Sequence, residues 1–128
     1  MAERITSVAG SSDYFLGGFL VYSNSMKENL LGVDSALIER HTAVSNEVAC
    51  AMAEAARSRT GAAYAVSTTG EAGPASSTPS PPGTVYIGFA GPDGASEARK
   101  FSFPGDRTRV RMFALQGALD YLRRRLTP

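Results

Sequence analysis

The chain has 128 residues, of which 43% are hydrophobic, and its formal net charge is +1. This length suits one compact domain over residues 1–128 and excludes two. A near-neutral charge supplies no broad basic surface, so the composition argues against binding to nucleic acid.

Cysteine and histidine are scarce, since the sequence has one of each, Cys50 and His41. One cysteine cannot form an internal disulfide, and one of each cannot build a Cys/His metal site. No apolar stretch is long enough for a membrane span or a signal peptide. We therefore predict a cytoplasmic protein that holds no metal and contacts no membrane, with Cys50 structural and His41 a helix cap.

The first elements predicted are a helix over residues 1–8 and a buried strand over residues 14–22. Met1, Ile5 and Val8 follow helical spacing, but no capping residue precedes them, so we expect the tail of a longer helix. Residues 14–22 are aromatic and branched around a glycine pair, a composition typical of strands.

Three N-cap residues then predict three helices. Ser23 begins a short helix that ends at Gly32, a residue suited to the left-handed conformation. Residues 34–41 form a second short helix after an Asp34 cap, and residues 45–59 a longer one after a Ser45 cap.

The second half predicts strands and a final helix. Residues 63–69 suit a central strand, and residues 71–82 form a proline-rich loop with nothing to bury. Residues 83–90 and 95–103 suit an antiparallel hairpin, and Asp106 caps a last amphipathic helix. The order of elements predicts an α/β fold with three α/β/α layers around a mixed sheet.

Lys27 is a candidate general base. It lies about one turn into the helix that Ser23 begins, where the positive end of the helix dipole disfavours its charge and should lower its pKa. Tyr22, directly before this helix, could stand close to it. The alternative is a solvated lysine and a core tyrosine.

Two further segments suit ligand binding. Arg107, Arg109 and Arg111 at the start of the last helix suit an anion such as phosphate, although they could equally point to water. Residues 68–70 end a strand where α/β sheets often bind ligands, but they could also form an ordinary turn.

Several ordered motifs cover essentially the whole chain: Tyr22-Ser23-Asn24-Ser25-Met26-Lys27, Leu31-Gly32-Val33, His41-(x)-Ala43-Val44-Ser45, Thr69-Gly70-(x)-Ala72-Gly73-Pro74, Pro82-Gly83-Thr84-Val85-Tyr86 and Gly105-Asp106-Arg107. Together they resemble the CinA C-terminal family of nicotinamide-nucleotide amidohydrolases.

The resemblance implies deamidation of nicotinamide mononucleotide, or a related pyridine nucleotide, to the acid and ammonia without a metal or organic cofactor. By resemblance a serine attacks the carboxamide carbon, and Lys27 with Tyr22 takes and returns protons. Thr69, Gly70 and Arg107 match positions that hold the substrate.

The family's serine lies in a Glu-Ser-Cys-Thr-Gly-Gly motif after a first strand, and neither is expected within residues 1–128. Residues 1–6 match the helix that follows this motif. Loss of a strand should expose its neighbours' edges and favour a homo-oligomer. Glu71, residues 75–77 and residues 80–81 also depart from the family's loop pattern.

Three interpretations of the chain stay open. It is an amidohydrolase whose start was lost or whose gene start was misassigned, an inert nucleotide-binding remnant or partner subunit, or a nonfunctional fragment. We expect no activity from these 128 residues alone.

Overall fold

Five helices and three strands form the part of the chain that the computed structural model describes, residues 1–127. Two short 3-10 turns, Ser11–Asp13 and Pro92–Gly94, join them. None of the helices in this range is long and apolar enough to cross a membrane. The elements are α1 (Ala2–Thr6), α2 (Asn24–Asn29), α3 (Ser35–His41), α4 (Asn46–Thr60), β1 (Ala65–Gly70), β2 (Thr84–Ala90), β3 (Ser96–Ser102) and α5 (Arg107–Leu126).

Side-chain caps set four of the helix starts. In each case a side-chain oxygen accepts a hydrogen bond from a backbone N–H in the first turn, and the capping residues are Ser23, Asp34, Ser45 and Asp106. Such a cap typically stabilises a helix by about 1 kcal/mol. All four predicted caps are confirmed, as is the left-handed conformation of Gly32, whose φ is 74°.

The three strands form an antiparallel sheet in the order β1-β2-β3. The predicted hairpin of β2 and β3 is confirmed, but the predicted mixed sheet is wrong for these strands. Parallel neighbours need a long crossover, usually a helix, whereas the loop after β1 contains none. The expectation that β1 is central is also wrong, since it pairs only with β2 in the described range.

Helices cover both faces of the sheet, as the predicted α/β/α arrangement requires. On one face Gly88 of β2 approaches α4 so closely that an added Cβ would collide with the carbonyl oxygen of Ala49. On the other face the Ile87 side chain meets Gly117 of α5, where an added Cβ would lie 3.3 Å from Ile87 Cδ1. Adjacent residues of a strand point to opposite faces, so α4 and α5 lie on opposite sides.

Two apolar clusters form the core, one where α4 meets the chain between residues 21 and 38 and one between the sheet and α5. The α4 side is filled by Val21, Leu31, Val33, Ile38, Val48 and Met52. The α5 side is filled by Val85, Ile87, Phe89, Val110, Ala118 and Tyr121. The predicted buried positions Val48, Met52, Val110 and Tyr121 are confirmed. The first cluster packs α4 against the segment that contains α2 and α3, and the second packs α5 against the sheet.

The predicted strand over residues 14–22 is not formed. Phe19 packs against the α4-side cluster and Val21 is buried within it, whereas the Leu20 side chain is 82% exposed. This alternation is typical of a strand, but a strand also needs a neighbour to bond its N–H and C=O groups. No described strand pairs with this segment.

Candidate active site

Lys27 is buried, with only 6% of its surface exposed. It lies in α2, and its Nζ donates a hydrogen bond to the Val21 carbonyl oxygen at 3.1 Å and a longer one to the Tyr22 carbonyl oxygen at 3.4 Å. Both acceptors belong to the segment that has no strand partner. Within residues 1–127 no carboxylate forms an ion pair with Lys27, so neutral carbonyls are its hydrogen-bond partners.

Burial lowers the pKa of the Lys27 amine. The predicted direction is therefore confirmed, and its cause is the removal of the charged form from water. The alternative of a solvated lysine is wrong. A buried lysine with a lowered pKa can hold an uncharged amine, the form that accepts a proton.

Tyr22 lies beside Lys27 through its backbone, while its side chain takes another direction. The Tyr22 side chain is 81% exposed, so the alternative of a core tyrosine is also wrong. Its hydroxyl accepts a hydrogen bond from Arg107 Nη2 at 3.3 Å. Tyr22 therefore joins the lysine to the arginine, with its carbonyl on Lys27 and its hydroxyl on Arg107.

Arg107 joins three distant parts of the chain at the first residue of α5. Besides Tyr22 it contacts the loop after β1, because its Nη1 donates to the Gly73 carbonyl oxygen at 2.9 Å. Both acceptors are uncharged, so these contacts leave the guanidinium charge unneutralised. The side chain is exposed at the surface, where an incoming anion can reach it.

Thr69 and Gly70 end β1 next to this arrangement. The Thr69 hydroxyl is buried and donates to the Ala43 carbonyl oxygen at 2.7 Å. This bond holds the segment between α3 and α4 against β1. An added Cβ at Gly70 would lie 2.7 Å from the Thr84 carbonyl oxygen, so the neighbouring strand already requires glycine there. Their roles toward a substrate stay predictions.

Sequence reasoning noted Glu71, the first residue of the loop, as a departure from the family's pattern but missed that its side chain is buried. The loop was expected to bury nothing, which is wrong, because the Glu71 side chain lies inside it with 7% of the residue exposed. Its carboxylate accepts hydrogen bonds from the Thr78 backbone N–H at 3.0 Å and from the hydroxyls of Ser77 and Thr78, each at 3.3 Å. The sequence did contain a signal for this arrangement, namely a carboxylate followed within a few residues by a run of hydroxyl side chains that can donate to it.

The other candidate residues lie outside this arrangement. Arg109 is exposed, whereas Arg111 lines a cleft of about 400 Å³ beside Thr68, at the start of α5. Cys50 Sγ lies 3.1 Å from Ser96 Oγ, and His41 Nδ1 lies 3.6 Å from Glu47 Oε2 at the end of α3. The structure thus brings together Lys27, Tyr22, Arg107 and the ends of the loop.

Residues 1–126 match the family model described as CinA C-terminal domain. A CinA-like protein of Solibacter usitatus is 50% identical over 128 residues, which cover 99% of this chain and 30% of that protein. A CinA-like protein of Frankia casuarinae is 47% identical over 126 residues, covering 98% of this chain and 29% of the relative. The chain thus spans about a third of the length of these curated relatives.

Solved structures of the same superfamily share this fold. A competence-damaged protein (CinA) superfamily member from Escherichia coli superposes with a TM-score of 0.90 at 29% identity, covering 94% of this chain and 70% of that one. Competence damage-inducible protein A from Klebsiella pneumoniae superposes with a TM-score of 0.93 at 28% identity, covering 98% and 78% respectively. With the family model matched from residue 1 to residue 126, the chain belongs to the CinA C-terminal domain family.

Proposed function

We propose that this chain supplies the general base and the substrate-binding residues for hydrolysis of the carboxamide of nicotinamide mononucleotide. The observation that carries the proposal is the buried Lys27 amine, whose pKa is lowered by burial and whose partners are two backbone carbonyls. Such an amine gives up its proton more readily than an exposed lysine, which suits it to accept and return a proton. The family membership supports the same reaction.

In the proposed reaction a serine hydroxyl outside these 128 residues gives its proton to Lys27 Nζ as its oxygen bonds to the carboxamide carbon. Lys27 then returns the proton to the departing nitrogen, which leaves as ammonia. Water attacks the resulting ester, again losing a proton toward Lys27, and releases nicotinic acid mononucleotide and the serine. In the proposal Tyr22 assists through its backbone carbonyl, which accepts a hydrogen bond from Lys27 Nζ, and no metal or organic cofactor takes part.

Arg107 is proposed to hold the phosphate of the nucleotide. Its present acceptors, the Gly73 carbonyl and the Tyr22 hydroxyl, are neutral, and a dianionic phosphate can replace either of them with a stronger, charge-assisted bond. The end of β1 at Thr69 and Gly70 lies beside the loop that contacts Arg107, so we propose that the rest of the substrate lies along it.

The second candidate is a nucleotide-binding domain without turnover, acting alone or as a partner subunit. The serine hydroxyls that precede Lys27 in the chain favour it, because both are already hydrogen-bonded. Ser23 Oγ caps α2 by accepting from the Met26 N–H at 3.2 Å, and it lies 3.0 Å from Ser25 Oγ. This candidate retains the proposed binding of nicotinamide mononucleotide and omits the chemistry.

A homo-oligomer belongs to the same proposal. Several large apolar side chains of the segment before α2 are exposed, namely Tyr14, Leu16 and Leu20, and β1 leaves one edge unpaired within the described residues. Burial of these side chains between copies would be favourable. Light scattering of the purified chain measures the assembly directly, and a monomer at all concentrations would remove this part of the proposal.

The deciding experiment measures ammonia release from nicotinamide mononucleotide by three proteins. They are this chain, a version preceded by the family's serine-bearing segment, and the extended version with Lys27→Ala. We expect activity from the extended protein alone. Lys100→Ala in the extended protein is the matched control, because Lys100 is the other lysine of the chain and is exposed.

Each outcome separates the candidates. Activity in the unextended chain would show that the nucleophile lies within these residues, against the proposal. An extended protein that binds nicotinamide mononucleotide without turnover would favour the binding domain. Loss of activity on Lys100→Ala as well as on Lys27→Ala would remove the assignment of Lys27 as the base.

A further inference from the structure

We propose that Glu71 is a positioning residue, which holds the loop of residues 71–83 and through it sets the direction of Arg107. The inference rests on the proposed function, since it concerns the arginine that is proposed to bind phosphate. It adds a residue that makes no direct contact with Arg107 in the structure.

The Glu71 carboxylate is fully used inside the loop. Oε1 accepts from Ser77 Oγ, and Oε2 accepts from both the N–H and the hydroxyl of Thr78. Within residues 1–127 no lysine or arginine forms an ion pair with it. A buried carboxylate without a cation is costly unless hydrogen bonds satisfy it, so this arrangement requires the loop to keep one shape.

The backbone of Glu71 ties the two ends of the same loop together. Its N–H donates to the Thr84 carbonyl oxygen at 2.9 Å, and its own carbonyl accepts from the Gly83 N–H at 2.7 Å. These bonds continue the pairing of β1 and β2 past the end of the strands. Glu71 therefore fixes both the base of the loop, through its backbone, and the middle of the loop, through its side chain.

Gly73 is the loop residue that contacts Arg107. It follows Glu71 by two residues, has a φ of 87°, and packs so near Pro82 that an added Cβ would lie 3.1 Å from Pro82 Cβ. Its carbonyl oxygen is the acceptor of Arg107 Nη1 at 2.9 Å. Because Gly73 lies between the fixed base of the loop and Pro82, the direction of its carbonyl depends on the loop that Glu71 holds.

Glu71→Ala should therefore weaken the binding of nicotinamide mononucleotide about tenfold, the effect of one lost charge-assisted contact. Glu71→Gln keeps an acceptor for Thr78, so its affinity for nicotinamide mononucleotide should fall by no more than about threefold. In the extended protein the loss should fall on KM and leave kcat nearly unchanged, since the hydrogen bonds of Lys27 Nζ go to Val21 and Tyr22 and not to the loop. Glu39→Ala, at an exposed carboxylate of α3, is the matched control.

The test is a double-mutant cycle with Arg107→Ala, read as the Kd of nicotinamide mononucleotide by calorimetry. We expect Glu71→Ala to raise this Kd about tenfold in the wild-type background and to leave it almost unchanged when Arg107 is already alanine. An equal cost in both backgrounds would show that Glu71 supports the fold without setting Arg107, which would overturn the inference.

A second measurement uses the protein without ligand, so that failure of the proposed function is distinguishable. The guanidinium NMR signals of Arg107 should shift in Glu71→Ala and stay in place in Glu39→Ala, with faster amide exchange at Thr78. If wild type does not bind nicotinamide mononucleotide but these signals shift, the proposed function fails and the inference stands. Unchanged Arg107 signals in a folded Glu71→Ala variant would overturn it.

Discussion

The Lys27 amine donates a hydrogen bond to the Val21 carbonyl oxygen, six residues earlier, across 3.1 Å. Within the described residues Val21 belongs to a segment without a neighbouring strand, so the lysine supplies a hydrogen that a strand partner otherwise gives. The same contact ties the buried amine to Val21, a member of the α4-side cluster. One pair of residues thus supports both the local backbone and the proposed chemistry.

The lowered pKa of Lys27 predicts how stability changes with pH. The unfolded chain keeps its lysine proton up to about pH 10.5, whereas the native chain loses it at a lower pH. Between the two pKa values the unfolded state binds more protons, so the free energy of unfolding rises as the pH increases. Below the native pKa both states are protonated and this gain is absent.

Lys27→Met should remove this alkaline gain while Lys100→Met retains it. Methionine fills a similar volume and does not titrate. The unfolding free energy of wild type should therefore rise relative to that of Lys27→Met as the pH increases toward 10.5. Urea unfolding at several pH values between neutral and 10.5 measures it. Parallel curves for wild type and Lys27→Met would contradict the placement of a buried, titrating amine.

Local chemistry explains which parts of the fold could be predicted. The caps Ser23, Asp34, Ser45 and Asp106 act on backbone groups within three residues, so their positions in sequence suffice to place the helix starts. The hairpin of β2 and β3 follows from a turn between two adjacent runs. Lys27 was predicted as a base from its place in a capped helix, whereas its burial in the folded chain is what lowers its pKa.

The rest depended on contacts that sequence spacing does not contain. Arg107 meets Tyr22 across 85 residues, so neither the arginine's partner nor the tyrosine's exposure could be read from local pattern. The strand expected at residues 14–22 depended on a neighbour, which composition cannot supply. Glu71 was read as part of a polar loop, because the donors that bury it follow six and seven residues later.

Gly88→Ala should destabilise the protein by about 1–3 kcal/mol, the usual cost of forcing extra volume into a packed interior. The added methyl group would lie 2.5 Å from Ser67 Oγ and would also meet the Ala49 backbone of α4. Gly18→Ala is the control, since an added Cβ there meets nothing within 4 Å. Urea midpoints compare the two variants, and equal midpoints would contradict the close packing of α4 on β2.

Thr69→Val should cost about 1–3 kcal/mol of stability, because it leaves the Ala43 carbonyl oxygen buried without its donor. Thr69→Ser keeps the hydroxyl and should lose less. Denaturant unfolding of both variants tests this difference. If valine is tolerated as well as serine, the hydrogen bond to Ala43 contributes nothing to the fold, and the hydroxyl is then available for the substrate.

Arg107→Lys should weaken the binding of nicotinamide mononucleotide about 10–100-fold while the charge is retained, because an ammonium lacks the planar fork that can contact a loop carbonyl and a phosphate together. The fold should change little, as Arg107 is exposed and Asp106 continues to cap α5. Arg109→Lys is the matched control, because Arg109 lies two residues further along α5 and carries the same charge without the hydrogen bonds to Gly73 and Tyr22. Calorimetric Kd values at low salt compare the two substitutions. Equal losses for both would mean that general positive charge at the start of α5 binds the nucleotide, and the specific geometry of Arg107 would then have no part in recognition.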